Sequence, residues 1–71
     1  MTEYSTGTIK MFNGKTGYGF ITPDTESPDV MLHNSIAKYC DVSPQQGMRV
    51  RYRAVLSPRG LRAVYVEEVE R

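Results

Sequence analysis

The chain has 71 residues, with 9 basic and 8 acidic side chains, a formal net charge of +1, one cysteine and no tryptophan. That length supports one small domain, residues 1–71, burying only about 60% of its unfolded surface. One Cys and one His exclude an intrachain disulfide and a structural zinc site, which takes about four ligands. No apolar run nears the roughly 20 residues of a membrane span, and the leading MTEYSTGT lacks an apolar core for a signal peptide. A cytoplasmic protein without metal or other cofactor is expected.

The first segment, Ser5 to Phe12, alternates as a strand, with Thr8, Lys10 and Phe12 on one face and Gly7, Ile9 and Met11 on the other. Asn13-Gly14 follows as a hairpin signal, because both residues tolerate positive φ. A second strand over Gly17 to Thr22 sets Tyr18 and Phe20 on one face and Gly17, Gly19 and Ile21 on the other. The polar loop PDTESPD leads to a third strand, Asp29 to His33. Here Val30 and Leu32 face the core, and Met31 and His33 face away. Asn34 to Tyr39 reads as a single helical turn capped by Ser35 or Asn34. The fourth strand, Met48 to Leu56, turns Val50, Tyr52, Ala54 and Leu56 inward and Arg49, Arg51 and Arg53 outward. After the turn Ser57-Pro58-Arg59-Gly60, the fifth strand sets Leu61, Ala63, Tyr65 and Glu67 against Arg62, Val64, Val66 and Glu68.

Five short strands expose sheet edges unless the sheet closes. The economical closure is an all-β, five-stranded antiparallel Greek-key barrel of the OB type, in which strands 2 and 3 form the ligand-facing surface; an SH3-like barrel is the alternative. Since Val30, Leu32, Val50, Tyr52 and Leu56 already supply a core, Tyr18 and Phe20 are read as an exposed aromatic surface. Charge is unevenly spread. Met48 to Leu61 holds four arginines and no acid, whereas Asp24, Glu26 and Asp29 form one acidic cluster and Glu67, Glu68 and Glu70 another.

The stretches GTIKMFNGKTGYGFITPD and DVMLHNS resemble the cold shock domain family, and the resemblance runs over residues 6 to 66. Gly7, Lys10, Phe12, Asn13, Gly17, Gly19, Phe20, Ile21, Asp29, Val30, His33 and Ser35 match the family's pattern outright, and Tyr18 replaces a phenylalanine. DVMLH and PRGLRAV are similar to divergent proteobacterial members. The resemblance implies an OB-type barrel that binds single-stranded RNA or DNA, acting as an RNA chaperone or a regulator of transcription or translation. It points to Lys10, Met11, Phe12, Tyr18, Phe20, Met31, His33, Asn34 and Arg59 as the binding set. Lys15 joins them, one place before the family's lysine, a position held here by Thr16.

The chain departs from that pattern where rings are expected. Met11 stands for a tryptophan, and Met31 and Asn34 stand for phenylalanines. A base stacked on an aromatic gains about 1–3 kcal/mol, so three missing rings at about 1 kcal/mol each weaken binding roughly a hundredfold. Methionine is adaptable at apolar surfaces, and the near-neutral charge suits a second expectation, a cold-shock fold turned to contact with a protein partner. No P-loop, metal motif or nucleophile paired with His33 points to an enzyme or a small-molecule substrate.

Overall fold

The computed structural model describes residues 4–69; Glu70, counted above in the C-terminal acidic cluster, lies outside them. Five strands and one short helix follow in the order β1 (Ser5–Asn13), β2 (Tyr18–Pro23), β3 (Val30–His33), α1 (Asn34–Tyr39), β4 (Arg49–Ser57) and β5 (Gly60–Glu68). The sheet closes into a barrel with neighbours β1-β2-β3-β5-β4 and then β1 again. Every pairing is antiparallel except the closing contact between β3 and β5, which is parallel and joins Met31 to Arg62. The barrel thus meets the all-β Greek-key expectation, with one parallel seam where the chain crosses between strands that are not consecutive.

The core is made by the inward residues of all five strands: Ile9, Ile21, Val30, Leu32, Val50, Tyr52, Ala63 and Val66. Ile9, Ile21 and Leu32 are essentially sealed from solvent, and each such side chain contributes about 1.5–3 kcal/mol by its burial. Tyr18 and Phe20 are not among them. Their strand alternates regularly, with Gly19, Ile21 and Pro23 buried and Tyr18, Phe20 and Thr22 exposed.

Simple alternation fails in three places, each for a local reason. In β1, Ile9 pairs with Ile21 and Met11 with Phe20, so Lys10 is the extra residue of a β-bulge. The bulge moves Met11 off the Ile9 face to the outside and brings Phe12, half-buried, against the core. In β5, Arg53 pairs with Tyr65 and Ala54 with Ala63, which leaves Val64 as the extra residue. Ala63 and Val66 therefore both point inward, although strict alternation separates them. In β4, Leu56 is 81% exposed rather than in the core. The partner strand β1 covers β4 only from Arg49 to Tyr52, so the end of the β4–β5 hairpin overruns the barrel.

Two local expectations are also corrected. Asn13-Gly14 does not form a two-residue turn with positive φ. Instead the Asn13 side-chain oxygen accepts the backbone N–H groups of Lys15 (2.9 Å) and Thr16 (3.4 Å), and Gly17 takes the left-handed conformation at φ +80°. The competing bond is the local Asx turn that asparagine favours. The helix is capped by His33 rather than by Asn34 or Ser35: the His33 side chain accepts from the Ser35 N–H.

Candidate nucleic-acid interface

The outward face of β1, β2, β3 and β5 is organised in cross-strand rows. Met11, Phe20, Met31 and Arg62 are successive register partners across the four strands. One step along, Asn13, Tyr18 and His33 form a second row. Tyr18 is 44% exposed, Phe20 40% and Met11 40%. Opposed side chains on one face of antiparallel strands stand within contact range, and the Tyr18 and His33 rings meet edge-on with centroids 4.7 Å apart. The rings and thioethers thus form one continuous, partly apolar surface over a core that does not need them.

His33 is held by the helix start. Its Nδ1 accepts the Ser35 N–H at 3.1 Å and lies 2.8 Å from Ser35 Oγ. A backbone N–H only donates, so Nδ1 bears no proton and the neutral ring carries its hydrogen on Nε2. Gly19, between the rings of β2, is there for space. A Cβ on Gly19 would stand 2.5 Å from the Met11 carbonyl oxygen and 2.6 Å from the Phe12 ring. Gly17 accepts the Asn34 N–H at 2.7 Å through its carbonyl, which ties the β1–β2 turn to the start of α1.

The remaining expected residues divide between this face and its margins. Lys15 is exposed in the β1–β2 turn and Asn34 is half-buried at the start of α1. Lys10 is exposed at the bulge and pairs with Asp29 at 3.2 Å. Phe12 is turned toward the core across Gly19 and leaves the outward rows. Arg59 is exposed at the tip of the β4–β5 turn.

Two of the three β4 arginines, Arg49 and Arg51, are engaged elsewhere. Arg49 makes a two-pronged contact with Asp24, 2.7 Å to each carboxylate oxygen, and also donates to Thr8 at 2.9 Å. Arg49 and the Thr6 hydroxyl hold the Asp24 carboxyl well below the usual carboxylate range. Arg51 pairs with Glu67 and lies over the Tyr4 ring, 5.4 Å from its centre. Tyr65 donates to the same Glu67 carboxylate at 2.6 Å, which raises the Tyr65 hydroxyl and lowers Glu67. One acid from each acidic cluster, Asp24 and Glu67, thus pairs with the basic strand.

A depression of about 320 Å³ opens where the two rows meet β5, lined by Tyr18, Met31, His33, Ser35, Ile36, Arg62 and Val64. Arg62, Val64, Ser35 and Ile36 are absent from the set expected from sequence. Alternation sets Arg62 on one face with Val64, Val66 and Glu68 without saying which way it points, and only the parallel register with Met31 puts it beside the rings.

The family model for the 'Cold-shock' DNA-binding domain matches residues 5–69. The chain belongs to the cold shock domain family. This family of nucleic-acid-binding domains has the barrel described above. Cold shock-like protein CspA of Stigmatella aurantiaca is 36% identical over 66 residues, 92% of this chain and 97% of its own length. The major cold shock protein of Micrococcus luteus is 38% identical over 64 residues, 89% of this chain and 96% of its own length. Cold shock-like protein CspD of Vibrio cholerae is 34% identical over 71 residues, 99% of this chain and 93% of its own length. As a cold shock domain, the chain carries no helix long and apolar enough to cross a membrane among its described residues.

Proposed function

We propose that this cold shock domain binds single-stranded RNA or DNA on the Tyr18–Phe20–His33 face, with Met11, Met31, Asn34 and the partly exposed edge of Phe12 beside it. Lys10, Lys15 and Arg59 supply phosphate contacts at the margins. The observation that carries this reading is the exposure of Tyr18 and Phe20 on one face of a barrel whose core is complete without them. Flat rings accept any base, so binding is of modest affinity and broad in sequence. By binding unpaired strands in preference to paired ones, the protein shifts RNA toward open forms without ATP. That is the action of an RNA chaperone or a regulator of transcription or translation in the cytoplasm, and it calls for no catalysis and no cofactor.

The test is a titration of a short pyrimidine-rich single strand by fluorescence anisotropy, at several salt concentrations, with Tyr18→Ala beside the parent. Parent binding that Tyr18→Ala weakens supports the reading. Absence of binding even at low salt overturns it.

A second reading has its own observation. Met11 is as exposed as Phe20, its register partner, and Lys10, Arg49 and Arg51 are already paired with acids. A Met-flanked apolar face also suits a protein partner. A stable complex that forms with nucleic-acid-free protein and is lost on Phe20→Ala would favour it.

A further inference from the structure

We infer that the depression between His33 and Arg62 is a guanine subsite that reads the O6/N7 edge of one base in the bound strand. The inference rests on the single-strand reading above and adds to it a base preference. The polar groups around the depression are chiefly donors. Arg62 presents a guanidinium, and no acid among the described residues pairs with it. The His33 hydrogen is placed on Nε2, because Nδ1 is occupied by the Ser35 N–H. The Ser35 hydroxyl is drawn to that same Nδ1. No carboxylate and no amide side chain lines the space.

A site made of donors selects a base edge made of acceptors. Guanine sets O6 and N7 side by side, and a guanidinium meets that pair in two-pronged fashion. Adenine puts an amino donor in place of O6, directly against the arginine's own donors. The floor and walls decide between a base and a phosphate. Met31, Ile36 and Val64 are apolar, and Tyr18 and His33 close one side with rings. That lining suits a flat base and disfavours a charged group that would lose its water.

The experiment measures binding of a uridine heptamer and of four relatives carrying one central guanine, adenine, hypoxanthine or 7-deazaguanine. Hypoxanthine keeps O6 and N7; 7-deazaguanine loses N7. Guanine and hypoxanthine strands are expected to bind roughly tenfold more tightly than the adenine and 7-deazaguanine strands. Arg62→Met, at an exposed position, is expected to erase that difference by lowering the guanine and hypoxanthine strands to the affinity of the adenine strand. Equal affinity for all four central bases overturns the inference and leaves the single-strand reading intact. A uniform loss with Arg62→Met across all strands, with a shallower salt dependence, also overturns it, because that is the signature of a phosphate contact. Failure of the parent to bind any strand overturns the single-strand reading and the subsite together.

Discussion

The Tyr18 ring meets the His33 ring edge-on at 4.7 Å between centroids, and His33 is at the same time the N-cap of α1. One side chain therefore serves both the fold and the exposed face. Removing it should cost stability and binding together, and a suitable replacement separates the two. His33→Ala is expected to destabilise the protein by about 1 kcal/mol through loss of the cap. His33→Asn, which can accept the same N–H, should recover most of that stability. Neither variant restores the ring, so both should bind single strands more weakly than the parent. Urea unfolding and anisotropy titration on the same samples check this. Equal stability of the Ala and Asn variants would refute the capping role.

Phe20 lies between Met11 and Met31 in one cross-strand row. Because it is exposed, Phe20→Ala should lower single-strand affinity by roughly tenfold and change stability by about 1 kcal/mol or less. A large stability loss with unchanged binding would mean that the ring serves the fold.

The same row allows a gain. Met31 and Met11 flank Phe20 with thioethers, which attract a base less than a ring does. Met31→Phe adds a stacking surface at a half-buried outward position and is expected to tighten binding by about five- to tenfold. Titration with the same oligomer decides it. An unchanged affinity would mean that bases do not reach β3.

The strands, their order in the chain and most of the core were legible because alternation and Gly/Pro punctuation depend on local chemistry. Val30 and Leu32, or Tyr18 and Phe20, needed only a regular pleat to be sorted. Met11, Leu56 and Val66 were missorted or unsorted for a different reason. A bulge at Lys10 or Val64 is a choice made by two strands together, and the overrun of the β4–β5 hairpin depends on where β1 stops. Arg62 escaped for the same cause: its neighbour Met31 is on a strand reached only by closing the barrel. The cap was missed because Ser and Asn are the usual caps and His33 is not. The pairing of Arg49 with Asp24 and of Arg51 with Glu67 joins residues far apart in sequence, so reading along one strand leaves the role of these arginines open.

Gly19 tests how tightly β1 and β2 are pressed together. A methyl group there would collide with the Met11 carbonyl and the backbone and ring of Phe12, and backbone cannot swing aside as a side-chain tip can. Gly19→Ala is expected to destabilise the barrel by roughly 1–3 kcal/mol. At Gly14, a Cβ meets nothing within 4 Å, so Gly14→Ala should be far milder. Urea midpoints for the pair measure the contrast, and equal midpoints would refute the close approach.

Asp24 sets the expected response to acid. Its carboxyl is held well below the ordinary aspartate value of 3.8, first by the Arg49 guanidinium and then by the Thr6 hydroxyl. A carboxylate with a lowered folded-state value binds fewer protons folded than unfolded, so stability rises with pH across that interval. The contribution is complete above about pH 3.8 and falls away as the pH drops further below it. Both partners are exposed, so the effect is modest and screened by salt. The parent should therefore exceed Asp24→Asn in stability at neutral pH, with the gap shrinking below pH 3.8 and in high salt. Thermal unfolding of both proteins from pH 7 downward measures it. A gap that persists unchanged at low pH would show that the asparagine disturbs packing rather than charge.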